Sequence, residues 1–177
     1  LLLDHGSRHR TKILLIGMIE ELREVARRTN DERAIREVIP RGDVIEQLAS
    51  ELWRDCTLAD RTLLRALIAH EVEVRRAGDG CGDGLYALCF LLHTLGQLED
   101  VLLIYQAKFT NMDCGVMIDH DLLTMRRSRA EMLAFVAAQT DERLERAVTG
   151  AFDKPNYPTY EELAASYRAY FAVWSKP

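Results

Sequence analysis

Amine, amide, imidazole and carboxylate groups are concentrated in one stretch of the sequence, IYQAKFTNMDCGVMIDHD at residues 104–121. Groups of these kinds hold ligands and charged partners, and they also cap the ends of helices. The sequence favours solvated or capping roles here, and it leaves a binding site as the alternative. The residues that would form this site are Lys108, Asn111, Asp113 and Asp119.

Helix signals account for the first half of this stretch. Lys108 and Asn111 are three residues apart, so they share a face on the last turn of one helix. Asn111 then ends that helix and Asp113 caps the next one. The next helix is predicted over residues 116–125, and three consecutive polar side chains would point in different directions from it. These are Asp119, His120 and Asp121.

The solvated interpretation has an energetic consequence. If Lys108 and Asp119 are solvated, replacing both by alanine costs little stability. A loss of several kcal/mol would instead make them a buried pair, because breaking such a pair leaves a charge without compensation.

The order of histidine and aspartate residues predicts a second kind of site. His93 is followed by the pair His120-Asp121, and then by Asp141 or Asp153. This order resembles that of the HD-type metal phosphohydrolases, which are all-α. The resemblance implies a divalent metal held by His93, His120 and Asp121, since imidazole and carboxylate groups suit such an ion. The sequence lacks the glycine-containing segment that follows the pair in that family, because it continues as HDLLTM.

A zinc site is a weaker alternative. Cys89 and His93 are four residues apart and share a helix face, and other thiols and imidazoles could complete a ligand set. These are Cys81, Cys114 and His120. Structural zinc sites usually show two ligands two to four residues apart, and this pairing is missing. No metal or cofactor is therefore assigned.

The glycine-rich segment GDGCGDG at residues 78–84 has some features of a calcium loop. Asp79, Asp83 and Gly84 stand at suitable positions, but Phe90 occupies the place of the acid that should close the loop. The segment also lacks the Lys-Ser/Thr of a phosphate-binding loop. It is predicted to be a flexible hinge within a single domain that spans residues 1–177.

Composition and charge limit the kinds of partner that we expect. The chain of 177 residues has a net charge of −5, whereas proteins that bind nucleic acids usually carry a basic surplus. Two basic clusters, at residues 8–12 and 126–129, are not interleaved with aromatic residues. We therefore expect no nucleic-acid partner. No run approaches the roughly 20 apolar residues of a membrane span, so we expect no membrane partner either.

Cysteine usage indicates a reducing compartment. The four cysteines are unevenly spaced and no secretory leader is visible, so we expect a cytoplasmic location rather than a disulfide framework. The basic residues are mostly arginine, which is typical of a GC-rich bacterial genome.

Hydrophobic periodicity predicts helix after helix, without a convincing strand. Capping boxes are predicted at Ser128, at Thr159 and at Asp43, each with a glutamate three residues later. The pattern favours an all-α domain of eight or nine helices. Its short connections make neighbouring helices antiparallel, stacked either as a short superhelix or as a bundle.

One helical hairpin resembles a known repeat. The segment LYALCFLLHTLGQLEDVLLIYQAK at residues 85–108 is similar to one tetratricopeptide- or HEAT-like helix pair, with a turn at Gly96. Cys89 stands where that pattern usually has a small glycine. The string AKFTNMDCGVMID resembles a segment of uncharacterised helical-repeat proteins of GC-rich bacteria. The matching residues are Lys108, Asn111, Asp113 and Asp119, and this resemblance implies no particular activity.

Aromatic residues line one face of the last predicted helix, which runs from residue 160 to Trp174. Tyr160, Tyr167, Phe171 and Trp174 lie at helical spacing, so core packing is the default expectation. The alternative is a contact with a partner or with a second copy of the chain, because tyrosine and tryptophan often anchor interfaces.

These observations favour a bacterial protein-protein interaction module, such as an adaptor, a regulatory subunit or an immunity-type protein, rather than an enzyme. Its partner would be a protein or peptide. The alternatives are an HD-like metal-dependent hydrolase and a homo-oligomer. The hydrolase requires that His93 and His120 lie within reach of one ion.

Overall fold

A computed structural model describes residues 5–40, 44–78, 80–155 and 158–175, with side chains from residue 17 onward. All regular structure in these ranges is helical, which confirms the all-α prediction. The helices are α1 (His5–Thr29), α2 (Glu32–Val38), α3 (Ile45–Asp55), α4 (Arg61–Arg76), α5 (Asp83–Leu95), α6 (Val101–Lys108), α7 (Met112–Met117), α8 (Arg129–Ala137), α9 (Glu142–Phe152) and α10 (Tyr160–Tyr170). Three short 3₁₀ helices span Leu58–Asp60, Leu98–Asp100 and His120–Thr124.

Local capping signals set several of these boundaries. Ser128 and Glu131 form the predicted capping box at the start of α8, and Thr159 and Glu162 form the one that opens α10. In each box the hydroxyl accepts from a backbone N–H and the glutamate accepts in return. Asp43 lies outside the described residues, so the third predicted box cannot be placed.

The helices from α2 to α6 alternate between two rows. α2 packs against α4 and α4 against α6, whereas α3 packs against α5 in the other row. α4 and α6 both contact α5 across the interface between the rows. Contacts between next-but-one helices are typical of stacked helical hairpins. Gly96 makes the turn of the central hairpin, since its φ of 64° lies in the left-handed region that glycine adopts readily.

α5 is the central helix. Nine of its thirteen residues are buried, including His93, so its apolar character reflects burial inside the protein. Within the described ranges, no helix is long and apolar enough to cross a membrane.

α10 covers the open side of α3 and α5 with aromatic rings. Tyr167 and Phe171 are each 1% exposed, which confirms core packing for these two positions. The Tyr167 ring stacks on Phe90 at 4.1 Å between centroids, and the Phe171 ring lies 4.9 Å from that of Trp53. A contact of this helix with a partner or with a second copy of the chain stays a prediction. The helix ends at Tyr170 rather than at the predicted Trp174, and residues 171–175 form turns.

A buried carboxylate ties α4 to the start of α6. Asp100 is 0% exposed and accepts hydrogen bonds from Arg61 Nε at 2.9 Å and from Arg65 Nη1 at 2.5 Å. Both arginines belong to α4. The hydrogen bond to Asp100 is the main cause that raises the pKa of Arg61, which keeps the pair ionised.

Close approach of α3 and α5 requires a glycine at position 84. A Cβ atom placed there would lie 2.9 Å from the backbone of Glu46, closer than carbon atoms pack. We expect Gly84→Ala to lower the free energy of unfolding by roughly 1–3 kcal/mol, because the helices must separate. Gly17→Ala in α1 is the control, since nothing lies within 4 Å of its Cβ position. It should stabilise by about 0.5–1 kcal/mol. Chemical denaturation of both variants measures the difference, and equal effects would contradict the close approach.

Candidate functional site

The four predicted binding residues lie on one segment of the chain. Lys108 is the last residue of α6, Asn111 is the N-cap of α7 and Asp113 lies in its first turn. Asp119 occupies the N-cap position of the 3₁₀ helix His120–Thr124. The structure therefore brings all four to the connection between α6 and this 3₁₀ helix, although their side chains do different things.

Lys108 holds the end of α7 from inside the protein. Its ammonium donates to the carbonyls of Gly115 at 2.6 Å and of Ile118 at 2.5 Å. The last carbonyls of any helix lack partners within the helix, and here the lysine supplies them. Lys108 is only 5% exposed, so the solvated role predicted as one possibility is wrong, and the ammonium takes the capping role that was the other. Burial lowers the pKa of this ammonium, and the carboxylate of Asp119 acts in the opposite direction.

Asn111 is a cap with a second role. Its Oδ1 accepts from the N–H of Cys114 at 2.8 Å, so Asn111 is the N-cap of α7. The prediction that it ends the preceding helix is wrong, because α6 ends at Lys108 with Phe109 as its C-cap.

Nδ2 of Asn111 donates to the carbonyl of Gly80 at 3.1 Å and lies within 3.4 Å of the Arg75 and Gly78 carbonyls. One side chain therefore starts α7 and also joins it to the connection between α4 and α5.

Asp113 strengthens the same junction. Its Oδ2 accepts from the N–H of Gly80 at 2.7 Å, so it does not cap α7 as predicted. Gly80 has a φ of 87°, which favours glycine. Cys81 beside it is buried. These contacts tie Gly80 to the start of α7, and the flexible hinge over residues 78–84 stays a prediction. Asp79 lies outside the described residues.

Asp119 lies close to two tyrosines. The sequence pattern predicts core packing for Tyr167 and does not single out Tyr86. Oδ2 of Asp119 accepts from the hydroxyl of Tyr86 at 3.1 Å, and burial together with this carboxylate raises the pKa of Tyr86 to about 12. The hydroxyl of Tyr167 is buried close to both groups but makes no hydrogen bond of normal geometry. A tyrosine on a mostly apolar helix needs a partner for its hydroxyl, and this was the one signal available for Tyr86.

The helix predicted over residues 116–125 is not formed. α7 ends at Met117, the backbone is extended at Ile118 and Asp119, and a 3₁₀ helix follows. The α-helical pattern breaks because Lys108 takes the carbonyls at the end of α7.

The residues of the predicted metal site each have a different partner. His93 is 1% exposed and its Nδ1 donates to the carbonyl of Leu122 at 2.9 Å, whereas Nε2 of His120 donates to that of Ala147 at 2.6 Å. Oδ2 of Asp121 accepts from Lys154 at 2.8 Å. The described residues contain no group of three or more ligands placed to hold a metal ion. Among the described residues, those that carry the resemblance to the HD-type hydrolases are therefore not placed to hold one metal ion.

The later acids and the thiols do not complete such a site. Asp141 caps α9, and Asp153 pairs with Arg129 at 2.6 Å. Burial raises the pKa of the thiols of Cys81, Cys89 and Cys114, which disfavours the thiolate form that binds metals.

The outer face of α7 is apolar, in contrast to its polar inner contacts. Met112 is 85% exposed, Val116 is 83% exposed and Phe109 is 52% exposed. Met112 and Val116 are four residues apart and therefore share a face of α7. We call these three residues the α7 surface. Sequence reasoning missed it, because the pattern of a short helix does not show which side faces the protein.

The α7 surface continues towards α9. The Phe109 ring lies 4.8 Å from that of Tyr105 and 6.5 Å from that of His120. A Cβ atom on Gly150 would lie 3.9 Å from Nε2 of His120, so α9 is directly adjacent. A depression of about 580 Å³ follows the exposed face of α9. Its lining residues are Glu142, Glu145, Arg146, Thr149, Gly150 and Asp153.

We expect Lys108→Met to lower the free energy of unfolding by roughly 2–4 kcal/mol, because two buried carbonyls lose a charged donor. Urea denaturation measures this loss. Gln106→Met on the same helix is the control, since Gln106 is exposed and should change stability by less than about 0.5 kcal/mol. A loss for Lys108→Met as small as that of the control would place the ammonium in solvent after all.

His93 makes stability depend on acid. Burial lowers its folded-state pKa to about 4 from 6.5, so the unfolded chain binds the proton first as the pH falls. The contribution is fully present above about pH 6.5 and is lost as the pH falls to about 4, a total of roughly 3 kcal/mol. The free energy of unfolding of His93→Gln should therefore fall less between neutral and acidic pH than that of the unmodified chain. Parallel pH profiles would rule out a buried neutral imidazole.

Comparison of the chain with protein-family models, with curated proteins and with solved structures finds no match. The similarity to tetratricopeptide- or HEAT-like repeats therefore stays a prediction.

Proposed function

We propose that this chain is a helical protein-interaction module and that the α7 surface is its docking element. The observation that carries the proposal is the exposure of Met112 and Val116, at 85% and 83%, on one face of a helix of only six residues. Apolar side chains that are exposed singly need no explanation, whereas a contiguous group supports an interaction site.

The supports beneath α7 favour a docking role over an accidental exposure. A six-residue helix is too short to be stable by itself. Lys108 fixes its end, and Asn111 and Asp113 fix its beginning to Gly80. These contacts hold Met112 and Val116 in place before any partner arrives, which lowers the entropy lost on binding.

The buried polar groups fit a structural role better than a catalytic one. The contacts of Lys108 and Asn111 are with backbone groups, and those of Asp119 are with tyrosine. The depression along α9 is lined by none of these three residues. An adaptor, a regulatory subunit or an immunity-type protein would use the outer face of such a segment.

The test is a comparative capture experiment. Affinity-tagged chain and the double variant Met112→Asp, Val116→Asp are incubated with an extract of the source organism, and bound proteins are quantified by mass spectrometry. We expect at least one protein to be retained near stoichiometrically by the unmodified chain and about tenfold less by the double variant, because carboxylates would be buried in the interface.

Leu58→Asp is the matched control, because Leu58 is 59% exposed and lies outside the α7 surface. It should retain the same protein as the unmodified chain. Equal retention by all three proteins, or by none, contradicts the proposal. Thermal denaturation of each variant checks that the fold is unchanged.

A further inference from the structure

The edge of α9 beside the α7 surface carries two arginines without an acidic partner. Arg143 and Arg146 are exposed, and neither makes an ion pair within 4 Å with any residue that the structure describes. Most arginines of the helical rows are paired, as Arg61 and Arg65 are with Asp100. Two adjacent guanidinium groups are therefore available at this edge.

Helical periodicity places both guanidinium groups on the side of α9 that faces the α7 surface. Ala147, whose carbonyl accepts from His120, is four residues after Arg143. Gly150, which lies against the same imidazole, is four residues after Arg146. Residues four apart share a face of a helix, so both arginines lie one turn from His120.

Tyr105 gives independent evidence for this placement. Its ring contacts that of Phe109, and its phenol experiences the charges of Arg143 and Arg146, which act to lower its pKa. Burial and the carboxylate of Asp141 outweigh them and raise it. Phe109 and the two guanidinium groups therefore border the same tyrosine.

Two of the nearby carboxylates are committed to other contacts. Asp141 accepts from two backbone N–H groups at the start of α9, and Asp113 accepts from Gly80. Glu142 and Glu145 are exposed without an ion pair to a described residue, and they line the depression along α9 together with Arg146. The charged groups that act on Tyr105 are Asp141, Arg143 and Arg146, so positive charge exceeds negative charge on this side of α9, although the whole chain has a net charge of −5.

We propose that the partner presents an acidic, apolar segment to this face. Its apolar side chains would cover Phe109, Met112 and Val116, and a carboxylate beside them would pair with Arg143 and Arg146. Guanidinium groups pair well with carboxylates because two parallel N–H donors match two oxygens. This inference rests on the proposed docking role of α7, and it adds the chemistry of the partner.

The test starts from a random-peptide display library panned against the folded chain. We expect enrichment of peptides that combine Asp or Glu with Leu, Phe, Met or Trp. A synthetic peptide from this pool should bind about tenfold more weakly to Met112→Asp, Val116→Asp, and about fivefold more weakly to Arg143→Gln, Arg146→Gln. Fluorescence anisotropy measures both losses.

Two controls test whether Arg143 and Arg146 act through their charge. Binding should weaken as salt is added, because rim charges are screened. Arg168→Gln on α10 should bind the peptide unchanged, since Arg168 is also exposed and makes no ion pair with a described residue.

The outcomes separate this inference from the proposed function. Enrichment of Lys- or Arg-rich peptides that still require Met112, or binding that is insensitive to both arginines, overturns the acidic partner and leaves the docking role intact. A concentration-dependent dimer that Met112→Asp abolishes would make a second copy the occupant and likewise overturn it. Peptides that bind without any need for Met112 and Val116 would overturn both proposals.

Discussion

The organisation around α7 depends on the two hydrogen bonds that the ammonium of Lys108 donates. It donates to two carbonyls at the end of a helix that is too short to form alone. Burial of a charge is unfavourable unless its hydrogen bonds are made, so the chain must bend where these carbonyls can reach the lysine. The extended backbone at Asp119 follows from this bend.

Over this segment, polar side chains make the contacts to the rest of the protein while two large apolar side chains are exposed, which departs from the usual arrangement. Asn111, Asp113 and Lys108 contact the backbone of neighbouring elements, whereas Met112 and Val116 face outward. Hydrogen bonds are directional, so they fix the position of α7 more closely than apolar packing would. A surface held in this way keeps its shape without a partner, which is the property that both proposals require.

The sequence predicts the features that local signals determine. The capping box at Ser128 and the turn at Gly96 depend on neighbouring residues, and the structure contains both. The burial of Lys108 could not be predicted, because a lysine at a helix C-terminus is equally well placed in solvent. The outward face of Met112 depends on Gly80, which is more than thirty residues away. Periodicity carries no information about contacts of that kind.

The junction between Gly80 and Asp113 also determines when this part of the protein can be completed. It joins residues 33 apart, and α5 and α6 lie in the loop between them. A chain emerging from the ribosome with its N-terminus first would expose both helices before Asp113 is available to close the loop. The cost of this closure grows only with the logarithm of loop length, so the delay need not weaken the finished fold. The last three helices, α8 to α10, follow Asp113 in the chain and are therefore synthesised after the residues of this junction.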